Sequence, residues 1–267
     1  MPWKPTPVNG TEIRWIPADW PAPDHVHAGT TTRAGGASRA PYNSLNLAEH
    51  VGDDQDRVDA NRQHLRRFLD LPADPHWLRQ VHGNDVINAC EAGRNTTADG
   101  SYTDTAGIVC AVLIADCLPL LLCDNRGTEI AAVHVGWRGF SKDIIGRVVA
   151  MFRAPPRDLL AWLGPCIGAD HYQVGDDVRE ACLKQSTRFE SAFTAAPGGG
   201  RWRADLAGLA RRRLEDLGLG NISGGGHCTF AEKSLFYSYR RDGTTGRMAS
   251  LIWRDQERSA NAPKVEY

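Results

Sequence analysis

The chain has 267 residues, with 31 Lys and Arg against 32 Asp and Glu and 42% apolar side chains. That near-neutral balance leaves no cationic footprint for a nucleic-acid backbone or an anionic membrane surface, and no run of about 18 apolar residues is present to span a bilayer. The partner class that remains is a small molecule, with no obligate protein partner evident. The opening segment from Met1 to Pro7 lacks the apolar core of a secretory signal, and the seven cysteines lack framework spacing, so a cytoplasmic protein with free thiols is expected.

Gly35-Gly36, Pro41-Tyr42-Asn43-Ser44 and Gly52-Asp53-Asp54 punctuate an N-terminal third of short strands and loops. A helix follows from about Val58 to Leu69, capped by Asp54 or Asp56. Gly107 to Ile114 is a continuous apolar, β-branched run, which predicts a strand covered on both faces. Leu118 to Cys123 and Thr128 to Val135 flank the turn sequence Asp124-Asn125-Arg126-Gly127, and together they predict a hairpin. After Gly136-Trp137-Arg138-Gly139, the side chains of Ile144, Ile145, Val148, Val149 and Phe152 fall on one helical face until Pro155-Pro156. Leu159 to Leu163 returns to strand and stops at Gly164-Pro165-Cys166-Ile167-Gly168, read as a turn rather than as a phosphate cradle.

Two further helices are expected, about Asp177 to Lys184 and about Asp205 to Leu217, the second with Asp205 as N-cap, Gly218 as stop and Arg211-Arg212-Arg213 on a solvated face. Asn221 to Gly226 reads as a glycine-rich loop, Ser250 to Trp253 as the last strand, and residues 254–267 as a loose tail. Without internal repeats or a Pro/Ser-rich linker, residues 1–267 are expected to form one mixed α+β domain.

Three chemistry-bearing residues sit where an element meets a polar or glycine-rich connection: His82 in Gln80-Val81-His82-Gly83, Cys117 in Ala115-Asp116-Cys117-Leu118, and His134 in His134-Val135-Gly136-Trp137. Cys117 and His134 flank the predicted hairpin, whose antiparallel pairing brings its open ends within a few ångströms. A thiolate and an imidazole that close can act as nucleophile and base or as two metal ligands. With His82 added, two imidazoles and a thiolate suit zinc, and three protein ligands leave the position that a catalytic zinc keeps open. Asp116 and Asp99 are candidates for orienting a ligand. Cys90, Cys110, Cys123 and Cys182 read as core or inert thiols, and a structural zinc would need Cys166 or Cys228 as a fourth ligand.

At these residues the chain resembles the YfiH-like, or laccase-domain, family, also called multicopper polyphenol oxidases and purine nucleoside phosphorylases. Matching segments include Thr32-Arg33-Ala34-Gly35-Gly36, Gln80-Val81-His82-Gly83, Ala98-Asp99, Ala115-Asp116-Cys117-Leu118-Pro119, His134 to Gly139, Gly164 to Gly168, Cys228-Thr229 and Ser238 to Arg247, spread from about Val26 to Trp253. The resemblance implies zinc on His82, Cys117 and His134. It also implies a four-layer α/β/β/α sandwich with mixed sheets, similar to the catalytic domain of cytotoxic necrotizing factor toxins.

For function it implies phosphorolysis of adenosine, inosine, guanosine and methylthioadenosine, with phosphate, and hydrolytic deamination of adenosine. Arg33 and Arg138, each beside glycine, are the phosphate-binding candidates. A second activity in the family is amide hydrolysis, removing L-Ser from the peptidoglycan precursor UDP-MurNAc-L-Ser at the same zinc or Cys-His site. The copper-dependent polyphenol oxidase label is disfavoured, because a three-copper cluster needs several His-x-His pairs and nine histidines here supply one, His25-Val26-His27.

Overall fold

The computed structural model describes residues 12–91, 93 and 96–255. In chain order the elements are β1 (Trp15–Pro17), β2 (Val26–Thr31), α1 (Gln55–Phe68), β3 (Val86–Asn88), β4 (Gly100–Thr103), β5 (Cys110–Ile114), β6 (Leu118–Asp124) and β7 (Ile130–Val135). There follow α2 (Trp137–Ser141), α3 (Ile144–Val149), β8 (Leu159–Leu163), β9 (Gln173–Val174), α4 (Asp176–Leu183), β10 (Phe193–Ala195) and β11 (Trp202–Ala204). The last are α5 (Leu206–Asp216), β12 (Asn221–Gly224), α6 (Tyr239–Asp242) and β13 (Met248–Arg254).

A six-stranded mixed sheet, β12-β8-β6-β7-β4-β3, faces a four-stranded antiparallel sheet, β1-β2-β13-β5. Alternation along the central strands produces the layers. Leu120 and Leu122 of β6 point to one side and pack with Val148 of α3, Val178 of α4 and Leu209 of α5. Leu121 and Cys123 point to the other and meet Cys110, Val112 and Ile252 of the facing sheet. The outer side of that sheet, with Ala111, Leu113 and Leu251, packs on Leu65 and Phe68 of α1. Helix, sheet, sheet, helix is thus the observed order, as expected. The apolar runs β5, β6, β7 and β8 are buried throughout because each strand is covered on both faces.

The hairpin has the expected register, with Leu118 opposite Val135 and Pro119 opposite His134. Asp54 caps α1 by accepting the Asp56 N–H, and Asp205 caps α5 by accepting the Gly208 N–H at 2.8 Å.

Four expectations change. The helix after Gly139 is two pieces, because Asp143 adopts a left-handed φ of 60° and recaps the chain through the Gly146 N–H. Asn221–Gly224 is a strand, parallel to β8, rather than a loop; the sheet edge supplies the pairing that its glycines do not favour locally. Arg211 and Arg213 are not a solvated face: Arg213 grips Asp143 through two bonds of 2.8 and 2.6 Å, and Arg211 donates to the Ile222 and Gly224 carbonyls. The tail does not loosen at Arg254, which pairs with Val26, nor at Asp255, whose N–H reaches the His25 carbonyl at 3.0 Å. The rest of that tail, 256–267, lies outside the described residues.

Candidate metal centre

The open end of the β6–β7 hairpin is organised by one buried carboxylate, Asp99, at the entry to β4. Because Gly100 pairs with Val133, Asp99 stands across from His134, whose N–H donates to the Asp99 carbonyl at 2.7 Å. Asp99 Oδ1 bonds His134 Nδ1 at 2.8 Å and accepts the His82 N–H at 2.9 Å. Oδ2 accepts the N–H groups of Gly83 at 2.6 Å and Val81 at 3.2 Å. One side chain therefore fixes the tautomer of His134, leaving Nε2 forward, and holds the loop that carries His82.

The donor atoms of His82, Cys117 and His134 lie within 4.8 Å of one another, forming a group that could hold a metal ion. The two imidazoles meet edge to face with centroids 4.8 Å apart. His82 is exposed, Cys117 half-buried and His134 buried, so the group opens to solvent on one side. His82 takes a left-handed φ of 57°, and Asp116, just before Cys117, takes 98°. Such backbone persists only where its surroundings hold it. Asp99 holds the first; the second is held by Thr229 Oγ1 and the Arg240 N–H, both donating to the Asp116 carboxylate at 2.7 Å, and by the Ile167 N–H on its carbonyl. Gly136 leaves room for the donors, since a Cβ there would stand 3.1 Å from Cys117 Sγ and 3.2 Å from His82 Cδ2.

The electrostatics of the metal-free group follow from that closeness. Burial pushes the Cys117 thiol up, but the charge of His134 and hydrogen bonds with His134 and His82 overcome it and bring the thiol down to about 6. Burial likewise disfavours a charged His134, yet Cys117 and Asp99 raise it to about 9. Desolvation of Asp99 is outweighed by His134 and the backbone N–H groups of the His82 loop, which lower it. The donor set fits a borderline metal: a thiolate, one imidazole backed by a carboxylate, a second imidazole on a fixed loop, and an open side.

The structure thus unites His82, Cys117 and His134. Neither sequence-chosen arginine bonds to them. Arg33 donates to the carbonyls of Asn43 at 3.1 Å and Lys233 at 3.3 Å and lies over the Tyr237 ring. Arg138 is exposed over Trp137, with no carboxylate partner among the described residues. Cys166 and Cys228 are free thiols that do not join the three-donor group; their backbones pair side by side, and the Cys228 sulfur accepts the Gly168 N–H at 3.2 Å. Gly164 to Gly168 is no phosphate cradle, because its N–H groups are engaged by Pro119, Asp116, His227 and Cys228. Cys110, Cys123 and Cys182 are buried as expected, whereas Cys90 is exposed.

Sequence reading missed Gln80, whose side-chain amide pairs with both backbone groups of Leu113 at 2.9 and 2.7 Å and so seats the His82 loop on the sheet edge. Its place in Gln80-Val81-His82 was the available signal. His25 Nε2 meets the Gly127 carbonyl, while His27 Nε2 meets Asp255. An open depression of about 1060 Å³ along α1 is lined by other residues, among them Arg62 and Arg66, which pair with Glu49 and Asp74.

An α+β sandwich with an open His-Cys-His group at a hairpin mouth defines a class of layered proteins with a candidate catalytic metal centre. The family described as multi-copper polyphenol oxidoreductase laccase matches residues 27–255, and the chain belongs to it. It is 47% identical over 239 residues to the purine nucleoside phosphorylase YfiH of Escherichia coli, covering 89% of this chain and 98% of that one. It is 45% identical to a Pseudomonas aeruginosa purine nucleoside phosphorylase, with 90% and 98% covered. A Neisseria meningitidis crystal structure superposes with a TM-score of 0.87 at 46% identity, covering 91% of this chain and 99% of that one. The YfiH structure of Bacillus licheniformis gives 0.81 at 32% identity, with 86% and 93% covered. Among the described residues no helix is long and apolar enough to cross a membrane.

Proposed function

We propose that this chain is a single-domain, cytoplasmic, zinc-dependent purine nucleoside phosphorylase that also deaminates adenosine. The observation that carries the reading is the open three-donor group of His82, Cys117 and His134 with Asp99 behind it, in a chain whose relatives bear the phosphorylase name. Adenosine, inosine, guanosine and methylthioadenosine are the substrates proposed for phosphorolysis.

In that reaction a phosphate oxygen bonds to the sugar C1′ as the bond to the purine breaks, and the departing base takes a proton. In deamination, water adds at the purine ring and ammonia leaves. Zinc held by His82, Cys117 and His134 would supply Lewis acidity, lowering the pKa of water from about 15.7 towards about 7. The chain's own residues orient that chemistry: Asp99 keeps His134 Nε2 and the His82 loop in place, and Gly136 keeps the approach clear. Of the two arginines chosen from sequence, Arg138 has the freer guanidinium for phosphate, since two N–H groups of Arg33 are on backbone carbonyls.

A multicopper oxidase reading is disfavoured on the sequence, whose nine histidines supply one His-x-His pair where a three-copper cluster needs several. The second reading is amide hydrolysis of a peptidoglycan precursor. It is favoured by one observation, that Cys117, His134 and Asp99 stand in line as thiol, imidazole and carboxylate, with Asp99 on His134 Nδ1 at 2.8 Å. Incubation with a nucleoside panel, with and without phosphate, followed by mass spectrometry, tests the choice. Sugar phosphates and free bases are expected only with phosphate, and inosine from adenosine without it. No product from any nucleoside, with release of serine from the precursor, would replace the first reading by the second.

A further inference from the structure

The segment from Ser238 to Arg247 supplies none of the three donors, yet it is fastened to the hairpin mouth. The Arg240 N–H holds Asp116 Oδ2, and Arg241 donates to the carbonyls of Thr229, Phe230 and Phe236. Met248 pairs with Ile114, so antiparallel register sets Arg247 across from Ala115, at the start of Ala115-Asp116-Cys117. The N–H of Arg247 is tied to Asn46 Oδ1 at 2.9 Å, and its Nη1 donates to the carbonyls of Thr245 at 2.8 Å and Gly246 at 3.0 Å.

That anchoring aims the guanidinium but does not use it up. Nε and Nη2 meet no acceptor, and no carboxylate pairs with the group, among the described residues. Arg62, Arg213 and Arg241, also partly buried, are each paired with a carboxylate, Glu49, Asp143 and Asp242, whereas Arg33, Arg211 and Arg254 share with Arg247 a guanidinium held by backbone carbonyls. A guanidinium taken partly out of water with two donor nitrogens unfilled favours a ligand that can accept from them. The setting is that of the hairpin mouth, since the same segment is fastened through the Arg240 N–H to Asp116, the residue before Cys117.

A second observation points to a ligand at the same place. Val81 and Tyr239 are the exposed large apolar side chains among the described residues, at 50% and 61%. Val81 precedes His82, and the Tyr239 ring centre is 5.8 Å from the Arg247 guanidinium carbon. An exposed aromatic ring beside a guanidinium with unfilled donors offers a face on which a planar ligand can stack.

We infer that Arg247 is the oxyanion anchor of the site, holding inorganic phosphate through Nε and Nη2, with Tyr239 and Val81 as the apolar rim that receives the purine ring. The planar fork of a guanidinium matches two oxygens of phosphate. This assignment rests on the phosphorylase reading for its ligand.

The test uses zinc-loaded full-length chain, wild type, Arg247→Gln and Arg247→Lys, with inosine turnover at varied phosphate and calorimetric titration with inorganic phosphate alone. Arg247→Gln is expected to raise the phosphate KM and weaken the titration by at least about tenfold, with the inosine KM within about twofold. Arg247→Lys is expected to fall between, keeping the charge without the fork, and it carries the test if the Gln variant does not fold. Unchanged phosphate KM and titration would overturn the anchor. If the wild type phosphorolyses no nucleoside, the functional reading fails separately: phosphate binding that still depends on Arg247 supports the anchor, and absent or Arg247-independent binding overturns it.

Discussion

The β6–β7 hairpin has buried carboxylates at both ends, and they serve opposite purposes. At the closed end, Asp124 accepts the N–H groups of Thr128 at 2.6 Å and Glu129 at 2.8 Å, together with the Thr128 hydroxyl at 3.0 Å. Glu129 accepts from the Tyr102 hydroxyl and from the N–H groups of Arg153 and Ala154. Each donor there ends in the chain, and the result is a tight turn. At the open end Asp99 is as fully used, but two of its donors are the His134 ring and the backbone of His82, which carry further donor atoms forward beside Cys117. A carboxylate becomes part of a site when the groups it restrains still have a valence to offer.

The largest effect should come from removing a donor at the open end. Cys117→Ala or His82→Ala is expected to take zinc from about one per chain to below roughly a tenth, by elemental analysis after gentle purification, with the unfolding temperature of metal-free protein little changed. Wild-type protein that carries no metal, with only Cys117→Ala inactive, would instead assign the open end to a Cys-His hydrolase.

Matched carboxylate changes sharpen the contrast. Asp99→Asn should weaken zinc affinity by about 10–100-fold in chelator competition, because the imidazole loses its charged partner. Asp124→Asn should leave zinc affinity alone and lower stability by about 1–3 kcal/mol in urea unfolding, as backbone donors lose a charged acceptor. Equal zinc loss in both variants would mean that the two ends are not independent.

The smallest effect is a shift in reactivity. In metal-free protein Cys117, held at about 6, should alkylate readily at pH 7 and slow as pH falls through about 6, where the thiolate gains its proton. Buried Cys110, pushed up to about 12, should stay unmodified while the protein is folded. Peptide mass spectrometry across pH reads both. A Cys117 midpoint near the ordinary value of about 8.5 would show that His134 does not carry its positive charge beside the thiol.

Much of this was legible without coordinates because it is local. Asp124-Asn125-Arg126-Gly127 encodes a turn, the apolar runs on either side encode two buried strands, and pairing them forces Cys117 towards His134. Asp205 and Asp54 cap the helices whose periodicity follows them. The break at Asp143 and the strand at Asn221–Gly224 were not legible, since each depends on a distant partner, Arg213 for one and β8 for the other.

The same division runs through the site. By itself the sequence brought Cys117 towards His134, because hairpin register is a short-range property, whereas His82, outside the hairpin, was added by its side-chain chemistry and the family resemblance. Only the tertiary structure decided what orients them and what else faces the mouth. Asp99 reaches His134 across 35 residues, Thr229 reaches Asp116 across 113, and Asn46 positions Arg247 across 201. No local pattern encodes such contacts, because they form only when the packing of two sheets brings separate strand ends to one edge.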